Sequence, residues 1–490
     1  MWNLVDPILR HGRVQPDTIA LVDEDRTITY GQLSDLVWRT AGHLSTLGVR
    51  RGDYVGLCLK DDWQHVVAML AIGRLGATFV QVDWRARSIE KARIAKVFDL
   101  KLALVLPGTD IGAKCPSMSF DSEWHRDVSA ATPPSNVSND WCDSLAVLAS
   151  SGTTGMPAFT VATHQQFYLR LACHCELMPS LRPHRYLSTF SFSFSAGRVA
   201  CLLHLLHGNT VIIYPSVFTA AEFVEVASRH RVTVAHLAPS TLRELLIVAE
   251  TRQPLLPNLE LLVGAGAPLF ANEKIEVIDK LTRNFHEIYA ATAIGPISVL
   301  RPSDTAQHAD SVGRPFPLVD VEIVDEMHRP VPAGETGWLR CRGPALASPV
   351  PSNSAAGDFR GGWHYPGEIA ALDTSGYIHL HGRTSEVIFR GAAKIFPTEI
   401  EAVLQAHENV AEVAVVARSS STNEQELVAY VVTSAPVAPG QLLAHCRRHL
   451  TPYKVPREIH IVSELPRNPS GKLDKRALAS PRSRSLGTKR

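Results

Sequence analysis

Residues 145–157 read LAVLASSGTTGMP. The run 145–149 is unbroken apolar sequence, as in a strand buried on both faces. The six residues after it, SSGTTG, suit a loop whose backbone N–H groups converge on an anion. Ser and Thr hydroxyls add donors, and small side chains let phosphate oxygens approach closely. The pattern is not G-x-x-x-x-G-K-[ST]. The next four residues, AFTV at 158–161, contain no cation. A phosphate cradle is therefore expected here without the charge that usually completes one.

The alternation of strand and helix continues outward on both sides. Leu33, Leu36, Val37, Ala41, Leu44 and Leu47 fall at helical spacing, and Gly48 stops that helix. Strands are expected at 53–59, 77–82, 102–106, 210–214, 232–238 and 259–266, with helices at 63–75, 220–229 and 240–249. This rhythm predicts an α/β fold with parallel sheets and crossover helices. Residues 107–140 are rich in Pro, Ser and Asp and read as a surface excursion. From 312 to 381 the pattern shifts to short strands and turns, a β-barrel-like part. After Gly382 a smaller α+β unit begins, with helices at 397–406 and 440–450. The division is placed at a large N-terminal domain, 1–382, a small mobile C-terminal domain, 383–480, and a disordered tail, 481–490.

A chain of 490 residues exceeds what one hydrophobic core supports, in line with that division. A formal net charge of +1 gives no bulk attraction to nucleic acid or an anionic membrane. No run approaches the roughly 18 apolar residues of a membrane span, and the first residues do not resemble a signal peptide. Eight cysteines without a C-x-x-C read as thiols in a reducing compartment, and a cytoplasmic location is expected. No H-E-x-x-H occurs, and no dedicated metal site is expected.

Several further segments stand in register with the phosphate loop. SSGTTGMPAF is followed by Thr163-His164, then VGAGAPL at 263–269, IYAATA at 288–293, SVGRPFPLVDVEIVD at 311–325, WHYPGEIAALDTSGYIHLHGR at 363–383, GRTSEVIFRGAAKIFPTEIE at 382–401 and LPRNPSGKLDKRAL at 465–478. Their order resembles the acyl-adenylate-forming superfamily of acyl-CoA synthetases, adenylation domains and luciferases. The resemblance covers essentially the whole chain.

That resemblance implies an AMP-forming carboxylic acid–CoA ligase, in which an acyl-adenylate formed from ATP passes its acyl group to the CoA thiol. It implies a nucleotide site of Ser150, Ser151, Gly152, Thr153, Thr154, Gly155, Gly266, Ala267, Pro268, Tyr289, Ala290, Ala291, Thr292, Glu368 and Arg383. Lys472 matches the lysine bridging carboxylate and phosphate, Thr292 the donor to the α-phosphate, and Tyr289 the aromatic stacked on adenine. Glu368, one methylene longer than the usual Asp, matches the ribose acid, and Arg383 the second ribose contact. The acyl pocket is expected from Phe192, Phe194, His236, Ala265 and Gly266. Phe190, Phe192 and Phe194 alternate as on one strand face, and Ala265 and Gly266 leave room for a bulky apolar acid. Arg390, Gly391, Ala392 and Lys394 are the CoA candidates, and Ser385 the hinge.

Two positions depart from the family pattern. The loop lysine is Ala158, and the glutamate associated with Mg²⁺ is Ala293. Ala supplies no hard oxygen. Mg²⁺ with the phosphates remains compatible with the sequence, but its usual protein carboxylate is missing. Both losses fall on the triphosphate side. Three alternatives stay open: a variant that only converts a preformed acyl-adenylate and CoA, fed by a separate adenylating partner enzyme; a non-catalytic nucleotide or acyl-adenylate binding protein; and acyl transfer to a carrier protein instead of CoA.

Overall fold

In the computed structural model the chain is described except for residues 1–2, 25, 113–114, 135–136, 138–139, 151–157, 179–182, 215–217, 250–253, 351–357, 391–392, 420–424, 468–472 and 480–490. Two large sheets carry the first part. One has nine strands, ordered Arg314–Pro315, Gly295–Leu300, Phe285–Ala291, Leu261–Ala265, Val234–Leu237, Arg185–Ser188, Thr210–Ile213, Ile19–Asp23 and Arg26–Thr29. Its centre is parallel. The other has seven strands, including Tyr54–Cys58, Thr78–Gln81, Leu102–Val105 and Ser144–Ser150, parallel to one another, and Ala158–Thr163, antiparallel to the last.

Alternation along each strand explains the layering. Val234, Leu261 and Val263 enter the main core, which also takes Val55, Leu57, Phe79 and Leu148 from the second sheet. Ala235, Leu237 and Leu262 point the other way, into a core shared with the helices Ala220–Arg229, Pro239–Val248 and Ala271–Lys280. Strands covered on both faces are apolar at every position, which is why 145–149 reads as it does. The helices and strands given bounds above appear within a residue or two of them, whereas no strand forms at 190–194.

Residues 107–140 depart from the surface excursion expected of them. They contain a strand, Ser117–Ser119, and a helix, Ser122–Ala130, whose Trp124 and Val128 are buried in the main core. Asp121 caps that helix by accepting from Glu123 N at 2.9 Å and Trp124 N at 3.1 Å. The polar composition hid two anchoring residues.

A six-stranded, largely antiparallel sheet follows, including Asp320–Val324, Thr336–Arg342, Glu368–Leu372 and Ile378–Arg383. Beyond it, a three-stranded sheet with the helices Pro397–Gln405 and Pro439–His449 encloses cores of its own, built from residues 388–478. Among the described residues no helix is long and apolar enough to cross a membrane.

Candidate active site

The parallel strands Val234–Leu237, Leu261–Ala265 and Phe285–Ala291 run out at one edge of the nine-stranded sheet, the end at which open α/β sheets bind ligands. Gly266 turns the chain there with φ of 100°, a value that favours glycine, and nothing lies within 4 Å of where a side chain would begin. Gly266, Ala267 and Pro268 are exposed. Arg243 holds the turn from beneath, donating to the Pro268 carbonyl at 3.2 Å and to Glu273 at 2.5 and 3.0 Å. Glu273 in turn accepts from Phe270 N at 2.8 Å.

Tyr289 stands at a β-bulge, where Tyr289 pairs with Ser298 but Ala290 pairs with Pro296. Bulges re-aim side chains. The Tyr289 hydroxyl is buried with no hydrogen-bond partner among the described residues. Burial, then the charge of Glu368, pushes the phenol pKa well above its ordinary value, and Arg383 opposes this. Glu368 and Arg383 are direct cross-strand partners, and Arg383 Nε donates to Glu368 Oε1 at 3.2 Å. Three of the predicted nucleotide contacts, far apart in sequence, thus converge. Thr384 N donates to the Gly367 carbonyl at 2.9 Å, which pins the turn beside them.

Thr292 lies in the tight turn between two antiparallel strands, with Ile294 N donating to the Ala291 carbonyl at 3.2 Å. A cation sits directly behind this turn. Arg170, 1% exposed, donates to the Thr292 carbonyl at 2.8 Å, to the Ala345 carbonyl at 3.1 and 3.3 Å, and to the Ala293 carbonyl. Burial lowers its pKa to about 9, so it stays charged at neutral pH. The methyl of Ala293 is buried, and its carbonyl also accepts from Ala347 N at 2.8 Å. With no carboxylate in its side chain and its carbonyl engaged by Arg170, residue 293 does not fit a protein-coordinated Mg²⁺.

Arg170 owes its place to the helix His164–Cys175. That helix starts with a capping box in which Thr163 Oγ1 accepts from Gln166 N at 3.1 Å and Gln166 Oε1 accepts from Thr163 N at 2.9 Å. His164, in the Thr163-His164 pair, is fully buried, and its Nδ1 accepts from Leu4 N at 3.3 Å. Burial holds its pKa at about 4.

The acyl-side residues are arranged differently from the expectation. Residues 190–194 form a turn rather than a strand, so the three phenylalanines do not share a face. Asp61 accepts from Phe192 N at 2.7 Å and Phe194 N donates to the Ser191 carbonyl at 3.0 Å, which coils the segment ahead of the helix Ser195–Leu206. Phe192 is fully buried in the main core against His65, and Phe194 is the half-buried N-cap. His236 is buried on the core face of its strand, and Ala265 packs against that core at the strand end.

In the C-terminal part, Ser385 is exposed in a short 3₁₀ turn, Thr384–Glu386. Lys394 is ion-paired with Glu326 at 2.8 Å. Ser151, Gly152, Thr153, Thr154, Gly155, Gly391, Ala392 and Lys472 lie outside the described residues, as do the side chains of Ser150 and Arg390 and the tail 481–490. Lys475, in the basic run after Lys472, is no solvated cation. It bridges Glu386 and Glu401 at 2.9 Å each and anchors the last described helix, Lys475–Ala479. Sequence reasoning missed Arg170 and Lys475. For Arg170 the available signal was a cation inside an otherwise apolar helix face, between Phe167 and Leu171.

Residues 8–349 match the family model of the AMP-binding enzymes, and residues 399–472 match that of the AMP-binding enzyme C-terminal domain. The chain belongs to the AMP-binding enzyme family. A 2-succinylbenzoate–CoA ligase of Bacillus licheniformis is 29% identical, covering 95% of this chain and 97% of that one. The anthranilate CoA ligase AuaEII, solved with anthranoyl-AMP, superposes with a TM-score of 0.88 at 23% identity over 99% of this chain and 98% of that one. An O-succinylbenzoate Coenzyme A synthetase from Bacillus subtilis, solved with ATP and magnesium ion, gives 0.84 at 24% identity over 95% and 98%. The AMP-binding fold thus extends over nearly all of the chain.

Proposed function

We propose that this chain is an AMP-forming carboxylic acid–CoA ligase. The observation that carries the reading is the convergence of Tyr289, Glu368 and Arg383 beside the Thr292 turn. The named CoA ligases among its relatives support it. In the first half-reaction a carboxylate oxygen attacks the α-phosphorus of ATP, a P–O bond forms, and the bond to pyrophosphate breaks. In the second, the CoA sulfur attacks the acyl carbon, the thioester forms, and AMP leaves.

The residues divide this work. The Tyr289 ring offers a face to adenine, a contact worth about 1–3 kcal/mol by analogy with base stacking. Glu368 accepts the ribose hydroxyls, and Arg383 holds Glu368 in place. Thr292 donates to the α-phosphate. Lys472, carried by the C-terminal part, bridges the two anions. The loop from Ser150 to Gly155 cradles the phosphates with backbone N–H groups. The 1–382 and 383–480 units reorient at Ser385 between half-reactions, and Arg390 to Lys394 then meets CoA. Arg170 supplies fixed positive potential behind the Thr292 turn, where preorganised charge acts most strongly. It stands on the triphosphate side, where the chain lacks the usual lysine and glutamate.

The test is acyl-CoA and AMP formation from a panel of carboxylic acids with ATP and CoA. Acid-dependent AMP and acyl-CoA in equal amounts support the reading. Thioester from synthetic acyl-adenylates but never from ATP would replace it with the variant that has lost adenylation. Nucleotide binding without either product would leave a binding protein.

A further inference from the structure

Three parallel strands of the seven-stranded sheet end side by side. Gly56 pairs with Val80, and Val80 pairs with Val147. Counting on from those pairs, Leu59, Asp83 and Ser150 stand level at the carboxyl edge, where open α/β sheets bind ligands. The SSGTTG loop opens at Ser150. Neighbouring strands lie about 4.8 Å apart, so the chain leaving at Asp83 is about 5 Å from the mouth of that loop, and the chain leaving at Leu59 about 10 Å.

The residues that leave there place two cations around one indole. Lys60 Nζ is 5.7 Å and Arg85 Cζ 5.9 Å from the centre of the Trp84 ring. These distances are the outer limit of a cation–π contact, so neither cation is committed to the ring. The indole is fixed from behind. Lys91, 7% exposed, donates to the Trp84 carbonyl at 2.8 Å, and the ring packs against the core that holds Val80 and Phe98. Asp83 accepts from Arg85 Nε at 2.9 Å and from Nη2 at 3.0 Å, which orients the guanidinium and leaves its Nη1 donors unspent. Lys60 is exposed and makes no ion pair among the described residues.

The other acids nearby are turned inward, onto backbone. Asp61 accepts from Phe192 N at 2.7 Å, and Asp62 accepts from His65 N at 3.0 Å. Apart from Asp83, which Arg85 covers, this edge offers solvent an ammonium and a guanidinium. It does so beside a phosphate loop whose own sequence has no cation.

We propose that Lys60 and Arg85 bind the diphosphate of a substrate nucleotide at this edge. The proposal rests on the ligase reading, in which two substrates carry such a group. ATP carries the pyrophosphate it releases, and CoA carries a diphosphate between its adenosine and its pantetheine arm. A compact ammonium and a planar fork can each take one phosphate through charge-assisted hydrogen bonds.

Calorimetric titrations with ATP, and with CoA in the presence of saturating AMP, read binding without turnover. Lys60→Ala and Arg85→Gln are each expected to weaken the same nucleotide about tenfold, the loss of one charge-assisted contact, and to leave the other unchanged. Lys60→Arg restores most of the loss. Arg87→Gln is the control. It removes an exposed cation that pairs with Glu90 at 3.4 Å, and it is expected to change neither affinity. A loss for CoA alone places the CoA diphosphate at this edge, and a loss for ATP alone places the triphosphate there. Unchanged affinities, equal losses for both nucleotides, an equal loss in Arg87→Gln, or an unmodified protein that binds neither nucleotide overturns the proposal. Acyl-CoA formation is followed in parallel. Turnover with unchanged affinities overturns the edge and leaves the ligase reading, and a shifted affinity without product from any acid does the reverse.

Discussion

Arg170 shows how a single side chain changes the reading of a motif. The loop SSGTTGMP lacks a cation in sequence, yet a buried guanidinium lies under the Thr292 turn. Its burial cost is offset by carbonyls rather than by a carboxylate, so removing it strands the Thr292 and Ala345 carbonyls. Arg170→Met is expected to lose about 3 kcal/mol of stability in urea denaturation. Arg170→Lys keeps the charge but not the fork, and it is expected to fold while losing more in kcat than in acid KM. Unchanged stability in Arg170→Met would contradict the packing described. Glu368→Gln should weaken AMP binding about tenfold in calorimetry, because an amide accepts the ribose hydroxyls less strongly than a carboxylate.

At the scale of elements, most of the fold was legible because parallel strands buried on both faces are apolar throughout and their crossover helices carry ordinary stop signals. Glu368 and Arg383 were readable only through family spacing. Their contact depends on the cross-strand register of Glu368–Leu372 with Ile378–Arg383, which includes a bulge and cannot be counted from residues. The turn at 190–194 was misread because alternation of Phe and Ser mimics a strand, and the deciding contact, Asp61 with Phe192 N, comes from 131 residues away. The helix carrying Arg170 and His174 is set by its capping box. Thr163→Ala is expected to cost about 1 kcal/mol, read as a lowered urea midpoint. Lys475→Met, which leaves Glu401 buried beside Glu386 without its cation, should cost more, about 3 kcal/mol.

Across the whole molecule, buried neutral histidines make stability depend on pH. Burial lowers His65, His164, His174 and His364 to about 4 and His236 to about 3. Below pH ~6.5 the unfolded chain binds protons that the folded chain refuses. Stability is therefore fully present above that pH and is lost as pH falls toward 4 and 3. Asp62, raised by burial to about 6, works in the opposite direction, as do Asp23, Asp61, Glu244, Glu287 and Asp358, which burial also raises, while His204 is lowered with the other histidines. The urea midpoint should fall steeply between about pH 6.5 and 4.5, by up to about 1.4 kcal/mol per pH unit for each histidine. A flat midpoint over that range would contradict the neutral, buried assignment.

The most direct measurement on the proposed chemistry is acid-dependent exchange of pyrophosphate into ATP, across aryl and medium-chain acids. It is run on the unmodified protein and on the Ala158→Lys/Ala293→Glu double variant. Exchange by the unmodified protein is the predicted result, and it would mean that the cradle activates an acid without either residue. Exchange by the double variant alone, or by neither protein with any acid, would contradict the account.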